Sequence, residues 1–364
     1  MRIFISIIMF MHGLIHFLGF MKAYNLLELP QLTLMISKPI GVFWLLSALL
    51  LLITSILVLF KKDWVWMPSS MVLISSQILI LLSWNDAKFG TIPNIIILLF
   101  IIFSFSSWSF NAQINREISN LLSHGKMSRN NIITEQMLDQ LPIAVQKWLK
   151  YIGLVGKESI QTAYFKQKGQ MKLKPNQKEW AEASVEQYVI TGKPGFLWKV
   201  NMKMNPLIVI SGRDKYQDGI AKMTIKLGSM IPVVNTVDDY KTNQSTMQRY
   251  LMELPWYPSA ALNPYISWEE IDKNSAKATM TYKGITGSAI YHFNDFGKLL
   301  KVSALRYKDS NENSEPVECI GEVKAYSSID GIEIPTKMNI IWVLDDGLFN
   351  WYKLEIINAK YNSL

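Results

Sequence analysis

The chain has 364 residues, of which 49% are hydrophobic and 18% charged, and its formal net charge is +8. Its basic residues are spread along the chain without a Lys/Arg block or an RNA-binding signature, which argues against nucleic-acid binding. Because Cys319 is the single cysteine, the chain has no intrachain disulfide and no cysteine-based zinc site.

Four apolar segments at the start of the chain have the length of membrane-spanning helices. About 20 consecutive apolar residues cross a bilayer core. The segments are Ile3–Met21, Ile40–Phe60, Val65–Trp84 and Ile92–Phe110. The first segment lacks a small-residue cleavage site, so we interpret it as a retained span and not as a signal peptide. Residues 1–110 are therefore predicted to form a four-helix transmembrane region.

The positions of Lys and Arg predict the orientation of these spans. Four spans place both termini on one side, and cytoplasmic segments carry the excess of basic residues. With a cytoplasmic N-terminus, the inner basic residues are Arg2, Lys61, Lys62, Arg116, Lys126 and Arg129, and the outer ones are Lys22, Lys38 and Lys88. We expect a multi-pass protein of the bacterial inner (cytoplasmic) membrane whose β domain is cytoplasmic.

Polar side chains in membrane spans are costly unless they are paired. His12 and His16 share one helix face, Gln77 interrupts the third span, and Asp86 follows it. One interpretation is a metal, haem, quinone or proton site with the imidazoles facing Gln77 or Asp86. The other is hydrogen bonding that fixes helix register. We favour the second and expect no cofactor, because H-x-x-x-H lacks the third ligand that is usual for zinc or haem.

The segment after the spans is polar and then helical. Residues 111–131 are predicted to be a linker. Thr134 is a suitable N-cap for a short helix at Glu135–Gln140. A second short helix, Pro142–Tyr151, is opened by its proline.

From Ile160 onward, apolar and polar residues alternate with the two-residue period of strands. In Leu197–Met204, for example, Trp198 and Met202 share a face. Counting such runs predicts about ten strands. One-sided alternation over so many strands predicts a strongly curved antiparallel sheet or half-barrel, apolar on its concave side. Residues 132–364 are therefore predicted to form an antiparallel β domain with two leading short helices.

One helix is predicted within the β domain, at about residues 245–254. Ser245–Gln248 fits a capping box at its start. A curved sheet needs a cover on its concave face, and this helix with the following Trp256-Tyr257-Pro258 is expected to provide it.

Inward-facing methionines and tryptophans indicate an apolar cavity, since methionine adapts to varied apolar partners. The alternative is an ordinary core in which methionine fills gaps. Arg249 and Glu253 are spaced to pair along the inserted helix, either at the surface or buried beneath Trp256, where Arg249 would contact an anionic headgroup. The candidate ligand-binding residues are Arg249, Glu253, Trp256, Trp198, Met202 and Met223.

The sequence contains no G-x-S-x-G, H-E-x-x-H, P-loop or Rossmann fingerprint, so no catalytic residue is proposed. Asp214, Tyr216 and Asp218 have a spacing similar to that of a calcium loop. We discount this likeness because the bidentate glutamate of such loops is missing.

Short motifs are distributed over nearly the whole chain. They are His12–Phe20, Trp84–Thr91, Leu141-Pro142 with Val145 and Trp148-Leu149, Gly195–Trp198, Gly212–Asp214, Arg249–Glu253, Trp256–Pro258 and Trp268-Glu269. Their order and spacing resemble a bacterial family of membrane-anchored domains with no assigned function, which implies no activity. The β part is also similar in architecture to lipoprotein-carrier folds, which hold acyl chains outside the inner membrane. The four-span part resembles small DoxX-type membrane proteins.

Three functions fit these features. The first is a non-catalytic, membrane-tethered module that binds an apolar or lipid-like molecule. The second is a membrane redox or proton-handling protein built on His12, His16 and Asp86. The third is a membrane-anchored scaffold whose β domain binds a protein partner of unknown identity. We favour the first, because the bilayer brings apolar ligands within reach of the β domain.

Overall fold

The structure is a computed structural model that describes residues 2–28, 32–60, 62–125, 131–205 and 209–363. It divides into two compact units, Met1–Ala112 and Gln113–Leu364. We call them the helical unit and the β unit.

Apolar helices dominate the helical unit. They are α1 (Arg2–Ala23), α2 (Lys38–Leu59), α3 (Trp66–Leu82), the short α4 (Trp84–Ala87) and α5 (Thr91–Gly125), with 3₁₀ turns at Asp63–Val65 and Lys88–Gly90. Among the described residues, four helical segments are long and apolar enough to cross a membrane, which confirms the predicted spans. Of the predicted linker 111–131, the part up to Gly125 belongs to α5, and residues 126–130 lie outside the described ranges.

Glycines allow α1 and α2 to approach closely. A Cβ atom at Gly19 would overlap the indole of Trp44, and one at Gly41 would overlap the Cβ of Ala23. Small residues at such positions are typical of helix contacts in membranes, where packing replaces the hydrophobic effect as the driving force.

The β unit contains a single antiparallel sheet of 13 strands. The strands are β1 (Thr162–Met171), β2 (Ala181–Ile190), β3 (Gly195–Lys203), β4 (Val209–Gln217), β5 (Ile220–Leu227), β6 (Ile231–Val237), β7 (Ile266–Asp272), β8 (Ser275–Tyr282), β9 (Ile285–Phe293), β10 (Leu299–Tyr307), β11 (Pro316–Ile329), β12 (Ile332–Leu344) and β13 (Gly347–Tyr361). Their order in the sheet is β6-β5-β4-β3-β2-β1-β13-β12-β11-β10-β9-β8-β7.

The sheet is larger than the ten strands predicted from alternation. The two edge strands, β6 and β7, are mostly exposed along their length. A strand with little buried surface has no need to alternate apolar and polar residues, so the sequence pattern understates the number of strands.

The sheet is curved and open. Helix α7 (Tyr240–Met252) packs against β4 and β5 from one half of the sheet and against β8, β9 and β10 from the other half. Strands this far apart in the sheet reach the same helix only if the sheet bends around it. The edges β6 and β7 remain at opposite ends of the strand order, so the predicted half-barrel architecture is confirmed.

The bounds of the helices in the β unit differ in part from those predicted, although the first begins at Glu135 after Thr134 as expected. Helix α7 begins at Tyr240 and not near Ser245, because the Asp239 carboxylate caps it by accepting a hydrogen bond from the Thr242 backbone N at 2.9 Å. The hydroxyl of Ser245 instead donates to the Tyr307 carbonyl at 2.7 Å. The first leading helix is a 3₁₀ turn at Glu135–Leu138, and the second, α6, spans Ile143–Tyr151 after Pro142.

Helix α6 rests on the turn between β9 and β10. Gly297 in this turn has φ +86°, and a Cβ atom there would lie 2.6 Å from the carbonyl carbon of Lys147. Gly284, in the turn between β8 and β9, has a similar φ of +80° and nothing within 4 Å of its Cβ position. The two turns therefore have similar backbone conformations and different surroundings.

Gly297→Ala is predicted to destabilise the β unit more than Gly284→Ala. Both substitutions place a side chain at positive φ, at a cost of about 1–2 kcal/mol, and Gly297→Ala also forces α6 away, at a further cost of about 1–3 kcal/mol. Thermal unfolding of the detergent-solubilised chain, followed by β-sheet circular dichroism, measures the difference. Equal midpoints for the two variants would show that α6 does not rest on this turn.

Candidate functional site

A cavity of about 670 Å³ lies between α7 and the concave face of the sheet. Its lining comes from α7, β1, β3 to β6 and β10 to β13. The volume falls within the range of about 300–1,000 Å³ that is typical of small-molecule sites. The structure brings all six predicted ligand-binding residues to this one cavity, namely Arg249, Glu253, Trp256, Trp198, Met202 and Met223.

The cavity wall is rich in methionine and tryptophan. The lining residues of these two types are Met171, Met202, Met223, Met252, Met338, Trp198, Trp256, Trp342 and Trp351. Trp198 and Met202 lie on β3 and are buried, as their shared phase predicted. Trp256 follows α7 in a 3₁₀ turn, and its indole Nε1 donates to the Pro335 carbonyl at 3.0 Å. Aromatic walls with flexible thioether groups can adapt to apolar ligands of different shapes.

Arg249 lies between two carboxylates in the lining of the cavity. Its Nη1 donates to Asp214 Oδ2 at 2.7 Å and its Nε donates to Glu253 Oε1 at 2.8 Å. The guanidinium also lies 5.0 Å from the ring centroid of Phe196 and 4.8 Å from that of Trp198. We call Asp214, Arg249 and Glu253 the Arg249 cluster. Of the two arrangements open from the sequence, the Arg249–Glu253 pair takes the more buried one, with side chains 17% and 12% exposed.

Electrostatics keep the Arg249 cluster charged. Burial lowers the pKa of the Arg249 guanidinium, but the attraction of Glu253 and Asp214 outweighs burial, so the pKa is raised above its ordinary value. Counted formally, two carboxylates and one guanidinium give the cluster one net negative charge. Arg249 is thus paired with two carboxylates of the protein, whereas the sequence suggested an anionic headgroup as its partner.

A buried chain of hydrogen bonds continues the Arg249 cluster across the sheet. Gln187 Nε2 donates to Glu253 Oε2 at 2.6 Å, Gln167 Nε2 donates to Gln187 Oε1 at 3.4 Å, and the Tyr352 hydroxyl donates to Gln167 Oε1 at 2.9 Å. The sequence does carry a signal for both glutamines, since Gln167 and Gln187 occupy the apolar phase of β1 and β2. The partner of Arg249 on β4, Asp214, was set aside with the calcium-loop likeness.

Arg306 is a lining residue that sequence reasoning missed. Its Nε donates to the Ser245 carbonyl at 3.1 Å, and its guanidinium lies 5.6 Å from the ring centroid of Trp342. On β10 it continues the inward phase of Val302 and Ala304, which is the signal that could have found it.

The polar residues of the helical unit form a separate network. His12 Nε2 lies 3.0 Å from Ser76 Oγ, and Ser76 is hydrogen-bonded to Asn94. Asn94 Nδ2 donates to Gln77 Oε1 at 3.0 Å, so Gln77 joins the network through Asn94 and does not contact a histidine. This network links three helices by hydrogen bonds, in agreement with the register-fixing interpretation.

His16 and Asp86 lie apart from that network. The His16 Nδ1–H donates to the carbonyl of His12 at 3.0 Å, and its ring packs on Trp44. Asp86 is not directed at the imidazoles as suggested. Its carboxylate accepts hydrogen bonds from Thr33 and Leu34, which lie between α1 and α2. In the part of the chain that the structure describes, there is no group of three or more His, Cys, Asp or Glu able to hold a metal ion. A haem, metal or quinone role for the two histidines stays a prediction.

The fold and the cavity define a class of protein: a helical region able to cross a membrane, joined to an open, curved β-sheet that encloses an apolar cavity. Residues 139–361 match the Family of unknown function (DUF6920), and the chain belongs to this family. No curated protein and no solved structure matches the chain. The matched residues include the whole sheet and every residue that lines the cavity.

Replacing Arg249 is predicted to destabilise the β unit strongly. Arg249→Met leaves Asp214 and Glu253 buried side by side without a cation, which costs about 3–5 kcal/mol. The matched control is Lys277→Met, which removes a cation from an exposed pair with Glu269 and is expected to cost no more than about 1 kcal/mol. Thermal unfolding of the detergent-solubilised chain compares the two. If both variants unfold at the wild-type temperature, the Arg249 cluster does not hold α7 in place.

Proposed function

We propose that this protein is a membrane-anchored, non-catalytic binding module that holds an apolar or lipid-like ligand in the cavity of its β unit. The observation that carries the proposal is the cavity itself, of about 670 Å³ and walled by methionine and tryptophan. Protein interiors are close-packed and contain few voids larger than a water molecule. A space of this size beneath α7 is therefore poorly explained as an ordinary core.

The construction of the cavity supports the same proposal. The Arg249 cluster, together with Gln187, supports α7 on polar contacts, and the lining of the cavity is rich in methionine and tryptophan. Binding pockets commonly combine an apolar wall with a few placed polar groups. Four helices able to cross a bilayer would anchor the chain at a membrane, and the lipids of that membrane are a source of apolar ligands.

A photoreactive lipid tests the proposal on the full chain in lipid nanodiscs. A diazirine-bearing fatty acid is expected to crosslink to peptides of β3, β5 and α7 in addition to the membrane helices. Met202→Trp fills the cavity and is expected to reduce crosslinking to these β-unit peptides about tenfold, because overpacking excludes the chain. Mass spectrometry of the crosslinked peptides is the measurement.

Lys203→Trp is the matched control, since Lys203 neighbours Met202 on β3 and is exposed on the opposite face. It is expected to crosslink like the wild type. Absence of any lipid on the β-unit peptides of the wild-type protein would refute the proposed function. Equal crosslinking of the two tryptophan variants would place the lipid outside the cavity.

We infer that the helices anchor the protein in the bacterial inner membrane with the β unit on the cytoplasmic side. The support is the distribution of Lys and Arg, with six basic residues on the inner segments and three on the outer loops. The cytoplasmic leaflet would then be the source of the ligand.

Cysteine labelling tests this orientation. Cys319 is fully buried, so the unmodified chain is expected to react poorly with a membrane-impermeant maleimide. Lys273→Cys adds a thiol on a side chain that is 81% exposed. We expect it to be labelled in inverted membrane vesicles and protected in spheroplasts. Labelling in spheroplasts would place the β unit on the outer side of the membrane.

A further inference from the structure

The three arginines that line the cavity differ in their partners. Arg213 Nε lies 3.3 Å from Glu117 Oε2, and Arg249 binds both Asp214 and Glu253. Arg306 has no carboxylate within ion-pair distance in the described ranges of the chain. Among the described residues, Arg306 is therefore the lining arginine whose charge is not neutralised by a carboxylate.

Arg306 is held in place by contacts that leave part of its guanidinium free. Nε donates to the Ser245 carbonyl, the planar group lies over the Trp342 ring, and Nη1 lies 3.7 Å from Cys319 Sγ. Burial raises the pKa of the Cys319 thiol in spite of the neighbouring cation, so the thiol stays neutral and does not compensate Arg306. Among the described residues, Nη2 has no hydrogen-bond acceptor.

Arg306 and the Arg249 cluster are charged groups of opposite sign at different positions in the lining of the cavity. Arg306 is tied to Ser245, whereas the Arg249 cluster ends at Glu253, eight residues further along the chain. At about 1.5 Å per residue, these positions are about 12 Å apart along α7. An anionic group is repelled by the net negative charge of the Arg249 cluster and attracted by Arg306.

We propose that the ligand is an amphiphile with a carboxylate or phosphate group on an apolar chain, and that Arg306 binds this anionic group. The inference rests on the proposed function and adds the chemical class of the ligand and its direction in the cavity. A guanidinium with free donors is well suited to carboxylate and phosphate oxygens. The guanidinium lies 5.6 Å from the centroid of the Trp342 ring, and both residues line the cavity.

Pairs of photoreactive probes with the same chain and different headgroups test the inference on the full chain in nanodiscs. We compare a diazirine fatty acid, the corresponding fatty alcohol and a lysophosphatidic acid with the same chain. The wild-type β unit is expected to crosslink to an anionic probe about tenfold more than to the alcohol, as a charge-assisted hydrogen bond predicts. Preference for the fatty acid or for the lysophosphatidic acid identifies carboxylate or phosphate as the natural group.

Substitutions test whether Arg306 is the cause of the preference for the anionic probe over the alcohol. Arg306→Met is expected to reduce crosslinking of the anionic probe about tenfold and to leave the alcohol unchanged, whereas Arg306→Lys keeps part of the preference. Lys324→Met is the control, because Lys324 is not among the lining residues and is paired with Glu322 at 2.6 Å. The wild-type comparison of acid with alcohol stands even if Arg306→Met fails to fold.

The outcomes separate this inference from the proposed function. If no probe labels the β unit, the proposed function fails. If acid and alcohol label it equally, the cavity binds lipid but the headgroup inference is overturned. A preference for the acid that persists in a folded Arg306→Met variant also overturns the role of Arg306.

Discussion

The position of Arg249 between Asp214 and Glu253 is the contact on which the cavity depends. A buried charge is tolerated only where partners are fixed around it, and here one partner lies on β4 and the other at the end of α7. Gln187 and Gln167 extend the contact across two further strands. The helix is thus held above the concave face at a defined place, and the apolar space beneath it stays open.

The contact between α7 and the sheet depends on the curvature of the sheet. A 13-stranded sheet that remains open bends far enough for α7 to touch both of its halves, so one helix covers a concave face that no flat sheet would have. The walls supply apolar surface, the Arg249 cluster contributes a net negative charge, and Arg306 contributes a positive charge elsewhere in the lining. This division of charge gives the cavity a direction, which suits a ligand with one polar end.

Much of this architecture was predictable from residue spacing, and the failures have identifiable causes. The membrane helices followed from apolar length, and Trp198 and Met202 followed from the two-residue period of β3. The predicted number of strands was too low, because exposed edge strands such as β6 and β7 have no buried face that would produce alternation. The predicted start of α7 was wrong because Asp239 and Ser245 are both suitable N-cap residues. In the structure Asp239 caps the helix, and the Ser245 hydroxyl donates to the Tyr307 carbonyl instead.

By itself, the sequence determined which segments can cross lipid, which segments form strands and which side chains face the concave side, because these depend on local periodicity. The tertiary structure decided which charges meet. Asp214 and Arg249 are 35 residues apart in the chain, and their contact arises only when the sheet bends beneath α7. The same long-range packing leaves Arg306 without a carboxylate and leaves the cavity unfilled. Pairing and empty space are properties of the assembled chain, and no local pattern encodes them.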